Sequence, residues 1–117
     1  MAQQANTQNN EAEKTVRDYQ MVQEQLRMAT MQLEQLQVQK AELSRAKDEV
    51  SVSGGKVYIT VGGVIVETTK DKALADIKEK AELADVRVAS LNKQLTELKS
   101  REKQLGEKIT QRDKQGQ

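Results

Sequence analysis

Two consecutive glycines, Gly62 and Gly63, separate two short runs that are rich in β-branched residues. This arrangement predicts a β-hairpin, because a two-residue turn needs positive φ and glycine adopts it at little cost. With the turn at these glycines, Val61 faces Val64 on the partner strand. Because side chains alternate along a strand, one face of the hairpin then carries five apolar residues. They are Val57, Ile59, Val61, Val64 and Val66.

That apolar face predicts an assembly of several chains. The sequence offers no further strands, and a two-stranded ribbon with open edges is at best marginally stable in water. Helices that begin beside the hairpin and point away from it leave the face uncovered, whereas several hairpins can close into a barrel. We therefore expect the hairpin to form the subunit interface, with Gly62 and Gly63 as its turn. The expected interface residues are Val57, Ile59, Val61, Val64, Ile65 and Val66.

Both flanks of the hairpin carry a heptad pattern, which is typical of coiled coils. The predicted seam before the hairpin consists of Ala12, Thr15, Tyr19, Val22, Leu26, Ala29, Leu33, Leu36, Lys40, Leu43, Lys47 and Val50. The predicted seam after it consists of Leu74, Ile77, Ala81, Ala84, Val88, Leu91, Leu95, Leu98, Glu102, Leu105, Ile109 and Arg112. A hairpin returns the chain antiparallel to itself. The predicted fold class is therefore mainly α, a long antiparallel two-helix coiled coil joined by a single β-hairpin that assembles into an intersubunit β-barrel.

Capping signals set the predicted bounds of the elements. Asn10 is expected to cap helix 1 (10–52), and Thr68, with Asp71 three residues later, is expected to cap helix 2 (69–114). The hairpin is expected over 56–68. Residues 1–9 are polar and lack apolar periodicity, which predicts a disordered tail before a single domain over 10–117.

Composition excludes several function classes. The 117 residues include no cysteine and no histidine, so disulfides, thiolate or imidazole metal sites and catalysis by these groups are excluded. No catalytic constellation or cofactor motif is visible, and we expect neither enzymatic activity nor a cofactor. The net charge of +1 gives no electrostatic case for nucleic acid or an acidic membrane as partner. The chain lacks a signal-peptide layout, and we expect a cytoplasmic protein.

Apolar residues also occur where they face away from the predicted seam. Met21, Met28, Met31 and Val38 occupy such positions, and methionine adapts to varied apolar partners. Scattered apolar surface residues are, however, normal in soluble proteins. Two interpretations therefore stay open: these residues form a surface that binds apolar partners, or they are ordinary surface residues. Near the chain ends, where a two-helix coil frays, apolar seam residues could hold unfolded polypeptide at several points. We call an unfolded polypeptide bound in this way a client. The candidate client-binding residues are Val16, Tyr19, Met21, Val22, Leu26, Leu105 and Ile109.

The order helix–hairpin–helix and the run Val-Gly-Gly-Val-Ile-Val-Glu (61–67), followed by Thr-Thr-Lys-Asp-Lys-Ala (68–73), resemble the β-type subunit of prefoldin, in its archaeal form. The resemblance implies a hexamer of two α-type and four β-type subunits with projecting coiled coils. It also implies ATP-independent capture of non-native proteins at the coiled-coil tips and their delivery to a group II chaperonin. The alternative from another functional class is a structural spacer or tether whose coiled coil binds no client.

Overall fold

The computed structural model describes residues 2–115, and it describes side chains for residues 9–112. The elements follow in the order α1 (Ala2–Val52), β1 (Val57–Val61), β2 (Val64–Thr68) and α2 (Lys70–Gln115). Two long helices joined by one antiparallel hairpin confirm the predicted fold class. None of the helices in residues 2–115 has a stretch long and apolar enough to cross a membrane.

The hairpin has the predicted register. Val61 pairs with Val64, Ile59 with Val66, and Val57 with Thr68, in antiparallel order. Gly62 and Gly63 have φ of 56° and 82°. Positive φ at both central residues is the geometry of a type I′ turn, whose twist matches that of the strands it joins.

The start of α2 differs from the prediction by one residue. Thr69 is the N-cap, because its Oγ1 accepts a hydrogen bond of 3.2 Å from the Lys72 backbone N–H. Thr68, the predicted cap, instead ends β2 opposite Val57. The two threonines offer the same capping group, and the strand pairing uses the first of them. Asp71 lies in the first turn of α2, where its charge is favourable to the helix dipole.

The start of α1 also differs from the prediction. The helix begins at Ala2, eight residues before the expected cap at Asn10, whereas the sequence predicted a disordered tail over residues 1–9. No proline or glycine occurs before Gly54, so no residue in this stretch ends a helix. The end of α1 at Val52 is as predicted, and the Ser53 backbone N–H donates to the Val50 carbonyl at 3.2 Å.

The chain divides into two compact units. The first unit consists of Met1–Gln32 and Leu91–Gln117 and contains two antiparallel helical segments: Arg112 lies 4.0 Å from Glu11, and Gly106 lies beside Tyr19. Its buried apolar residues are Val22, Ala29, Leu91, Leu95 and Leu105. All of them are predicted seam residues.

The second unit, Leu33–Ser90, contains the hairpin and the helical segments that flank it. Its buried residues are Val57, Ala73 and Ala84. The predicted seam residues of this unit are buried or partly buried, with two exceptions. They are Lys40 and Lys47, whose side chains are exposed.

Candidate functional site

The hairpin exposes most of its predicted interface residues. Val61 and Val64 are 57% and 61% exposed, and Val66 is also exposed. Val57 is buried and Ile59 is partly buried within the chain. The expectation that the chain leaves the whole apolar face uncovered is therefore wrong at Val57, which is the first residue of β1. The uncovered part of this face lies toward the turn.

Apolar groups are exposed on the opposite face of the hairpin as well. Ile65 and Tyr58 alternate with the residues of the first face and are both largely exposed. Exposed valine and isoleucine on both faces, next to unpaired strand edges, are the features that a ribbon presents when it pairs with other chains.

In the first unit, an open hollow of about 570 Å³ lies beside Tyr19. It arises where Gly106 lacks a side chain: a Cβ atom built on Gly106 would lie 3.6 Å from Tyr19 Cε2. Tyr19 and Ile109, both predicted client-binding residues, line this hollow and are partly exposed. The other lining residues are Lys103, Glu107, Thr110 and Gln111. The sequence analysis did not predict the hollow. The feature that could have indicated it is a glycine on one helix opposite an aromatic residue on the other.

The remaining candidate client-binding residues differ in exposure. Val22 and Leu105 are buried, at 2% and 9% exposure, so they contact solvent only if the helices separate. Leu26 is partly buried, whereas Val16 and Met21 are exposed. The structure therefore brings Tyr19 and Ile109 to one accessible place and keeps Val22 and Leu105 inside the seam.

Three methionines of α1 in the first unit form what we call the methionine surface: Met21, Met28 and Met31. They are 61%, 53% and 48% exposed, as their positions off the seam predicted. Val38, in the second unit, is also exposed.

A closed ion pair accompanies the methionine surface. Arg27 Nε donates to Glu24 Oε2 at 3.1 Å, and a second bond joins Arg27 Nη2 to the other carboxylate oxygen. These hydrogen bonds lower the pKa of the Glu24 carboxyl and raise the pKa of Arg27. Arg27 Nη1 also donates to Met31 Sδ at 3.6 Å. Each charge is thus neutralised by its neighbour, and the methionines lie on a surface without net charge.

In the second unit, a hollow of about 550 Å³ is lined by apolar, basic and acidic groups. Lys40 crosses from α1 to α2, and its Nζ lies 2.6 Å from Asp85 Oδ1. Leu43, Leu74 and Ile77 line the apolar part. The ammonium group of this seam lysine therefore has a carboxylate partner on the other helix. Among residues 9–112, no group of three acidic, histidine or cysteine side chains could hold a metal ion.

Comparison with known proteins relates this arrangement to one family. The family model described as "Prefoldin subunit" matches residues 13–116. Prefoldin subunit beta of Pyrococcus abyssi is 38% identical over 89 residues, which cover 74% of this chain and 76% of the relative. Prefoldin subunit beta of Methanosarcina acetivorans is 31% identical over 94 residues, covering 79% of this chain and 80% of the relative.

Solved structures agree with the sequence comparison. The crystal structure of the prefoldin beta subunit from Thermococcus strain KS-1 matches with a TM-score of 0.76 and 34% identity, covering 86% of this chain and 90% of that one. The beta2 subunit from the same strain shares the fold, with a TM-score of 0.57 and 21% identity. This match covers 82% of the present chain and 97% of the beta2 chain. The chain therefore belongs to the prefoldin subunit family and is similar to the β-type subunits of archaea.

Proposed function

We propose that the chain is a β-type subunit of an ATP-independent holdase, which captures non-native polypeptides near the chain ends and passes them to a group II chaperonin. Membership of the prefoldin subunit family gives a chaperone-type role. The proposal adds the mechanism, the transfer step and a cytoplasmic location, and it assigns the chain no catalytic activity.

Assembly is the first part of the proposal. The exposed apolar residues near the hairpin turn, above all Val61 and Val64, would be covered by hairpins of neighbouring subunits. Burial of one valine or isoleucine side chain is worth about 1.5–3 kcal/mol, so several per chain favour association. The proposed partner is an α-type subunit, in a complex of two α-type and four β-type chains. A closed ring of hairpins would also satisfy the strand edges.

Client binding is the second part, and one observation carries it. Tyr19 and Ile109 line an open hollow beside Gly106, where an apolar side chain of an extended polypeptide can enter. The methionine surface lies in the same unit and offers flexible, uncharged contacts without demanding a particular sequence. Each contact is weak. Several subunits that hold one polypeptide together would multiply the affinity without any new contact.

A spacer or tether is the second candidate, and the buried seam favours it. Val22 and Leu105 stay closed inside the first unit, as a coiled coil that only sets a distance between partners requires. A spacer needs no accessible apolar hollow and no affinity for unfolded chains. The two candidates therefore differ in one measurable property, the suppression of aggregation.

The test is light scattering of a refolding client protein in the presence of the chain assembled with an α-type subunit. We expect the wild-type complex to suppress scattering and the double variant Tyr19→Ser/Ile109→Ser to suppress it weakly, while native mass spectrometry finds the same assembly. A matched control is Glu107→Gln, which changes a polar residue of the same hollow and should retain activity. Undiminished scattering with the wild-type complex would favour the spacer. Full activity of the double variant would remove the hollow from the proposal.

The transfer step needs a separate measurement. Client held by the complex is labelled with a fluorophore and mixed with a group II chaperonin, and the distribution of label is followed by size-exclusion chromatography. We expect label to move to the chaperonin without nucleotide. If the label stays with the complex, the chain would be a holdase that does not deliver its client to the chaperonin.

A further inference from the structure

The sulfur chemistry of this chain is restricted to thioethers. The sequence contains four methionines and no cysteine, histidine or tryptophan, so a mild oxidant meets few other reactive side chains. Three of the four methionines are those of the methionine surface. Susceptibility of methionine to oxidation follows exposure, and all three are about half exposed or more.

The polarity of the three sulfur atoms determines how apolar the outer surface of this part of α1 is. From Tyr19 to Leu33 the charged residues are Glu24 and Arg27, and they are bonded to each other. The outer surface of this stretch otherwise consists of glutamine, threonine and methionine. Its apolar area outside the seam therefore comes mainly from the three thioether side chains.

We propose that Met21, Met28 and Met31 form a reversible oxidation site, at which a peroxide converts the thioethers to sulfoxides and thereby weakens the hold on client. This inference rests on the proposed holdase function and adds a means of regulating it. Oxidation converts a flexible apolar side chain into a polar one that prefers water. Burial against an apolar segment of client then requires desolvation of the sulfoxide oxygen.

The chemical step is balanced with hydrogen peroxide as the oxidant. One peroxide oxygen is transferred to sulfur, so an S–O bond forms and the O–O bond breaks. Sulfur loses two electrons, and the other peroxide oxygen leaves as water. In the reverse direction, two thiols of a methionine sulfoxide reductase supply two electrons and two protons, the oxygen leaves as water and the thiols become a disulfide.

The fold allows this change without loss of structure. The three methionines lie off the seam, and the buried residues of the first unit, such as Val22 and Ala29, are not oxidisable. Methionine, leucine and glutamine are all good helix formers, so substitutions among them keep α1 helical. The effect of oxidation can therefore be separated from unfolding.

The experiment oxidises the full chain with hydrogen peroxide, removes the peroxide with catalase, and then assembles the chain with an untreated α-type subunit. Peptide mass spectrometry measures sulfoxide at each methionine, and circular dichroism measures helicity. Light scattering gives the complex concentration that halves aggregation of a refolding client. We expect this concentration to rise about tenfold after oxidation. Treatment with methionine sulfoxide reductase and a thiol should restore the original value.

Two variants make the result specific. The triple variant Met21→Leu/Met28→Leu/Met31→Leu keeps Met1 as an oxidisable residue and should hold client equally before and after peroxide. The triple variant with glutamine at the same three positions should behave like the oxidised wild type without any peroxide.

The outcomes distinguish this inference from the function on which it rests. If the untreated wild type suppresses aggregation and the fully oxidised wild type suppresses it equally, the oxidation site is overturned and the holdase function stands. An equal loss of activity in the oxidised leucine variant would overturn it too, because the loss would then come from elsewhere. If the untreated wild type fails to suppress aggregation, the holdase function itself is overturned.

Discussion

Lys40 of α1 and Asp85 of α2 form an ion pair, with Nζ of the lysine 2.6 Å from Oδ1 of the aspartate. The lysine occupies a seam position, where a coiled coil ordinarily has an apolar residue. Both side chains are substantially exposed, at 42% and 60%, so water screens the attraction between them. The second unit thus has a weak polar contact in place of apolar packing at this seam position.

Replacement of Lys40 by leucine should therefore stabilise the chain. Leucine would fill part of the hollow that Lys40, Leu43 and Ala81 line, and we expect a gain of about 1 kcal/mol in the free energy of unfolding. Asp85→Ala, which removes only the ion pair, should cost less than about 0.5 kcal/mol. Urea unfolding followed by circular dichroism measures both. A less stable leucine variant would mean that the ion pair outweighs the packing.

The double variant Val61→Asp/Val64→Asp should abolish assembly and leave the helices intact. The two valines are exposed near the turn, and two buried carboxylates without partners would be costly in any interface between hairpins. Native mass spectrometry with an α-type subunit reports the assembly, and circular dichroism reports the helices. Val61→Leu/Val64→Leu, which keeps both positions apolar and should still assemble, is the matched control. A hexamer formed by the double variant would place the interface elsewhere.

Two valines on α1 provide a matched pair for the seam of the first unit. Val22 is 2% exposed and Val16 is 41% exposed. We expect Val22→Ala to lower the free energy of unfolding by about 2 kcal/mol, because it leaves a cavity, and Val16→Ala to change it by less than about 0.5 kcal/mol. Urea unfolding of both variants checks the difference. Equal effects would indicate that the seam is open at Val22 in solution.

Gly106→Ala should raise stability. The new methyl group would lie 3.6 Å from Tyr19 Cε2, an ordinary van der Waals contact, and alanine is the better helix former. The expected gain is about 0.5–1 kcal/mol in the free energy of unfolding. Gly62→Ala is the contrasting control, because φ of 56° at that position disfavours any side chain. Thermal unfolding should therefore occur at higher temperature in the first variant and at lower temperature in the second.

Met31 should be oxidised more slowly than Met21. Arg27 Nη1 donates a hydrogen bond to Met31 Sδ, which occupies a sulfur lone pair, and Met31 is also the less exposed of the two. We expect about a twofold difference in the rate of sulfoxide formation, measured by peptide mass spectrometry during peroxide treatment. Arg27→Ala should raise the rate at Met31 and leave Met21 unchanged. Equal rates in the wild type would show that the guanidinium gives no protection.

The hairpin and the seam were predictable because their patterns are local. Alternation of apolar and polar residues on either side of Gly62 and Gly63 determines the register of the two strands. The heptads identify which helical residues are buried. The N-cap of α2 was wrong by one residue, because Thr68 and Thr69 carry the same chemistry and the strand pairing decides between them. Burial of Val57 was missed, because it depends on tertiary packing around the start of β1, which no local pattern encodes.

The hollow beside Tyr19 was beyond sequence reasoning. The hollow requires a glycine of one helix to lie beside an aromatic ring of the other. Heptad patterns determine the axial register of two helices only to within about one helical turn. In the sequence alone, Gly106 is a glycine within a predicted helix, where it lowers helix stability relative to alanine. The packing makes it the position where two candidate client-binding residues, Tyr19 and Ile109, line one space.

The mutual neutralisation of Glu24 and Arg27 has a consequence for the solution conditions under which the chain works. Sodium chloride weakens attractions between separated charges over about 8–10 Å, yet along this part of α1 the two opposite charges already touch. Because the pair carries no net charge, ionic strength has little effect on the long-range electrostatic field of this surface. In the proposed holdase, salts that are excluded from protein surfaces, such as sulfate, would instead strengthen the contact between the exposed thioether groups and a client, because such salts favour burial of apolar surface.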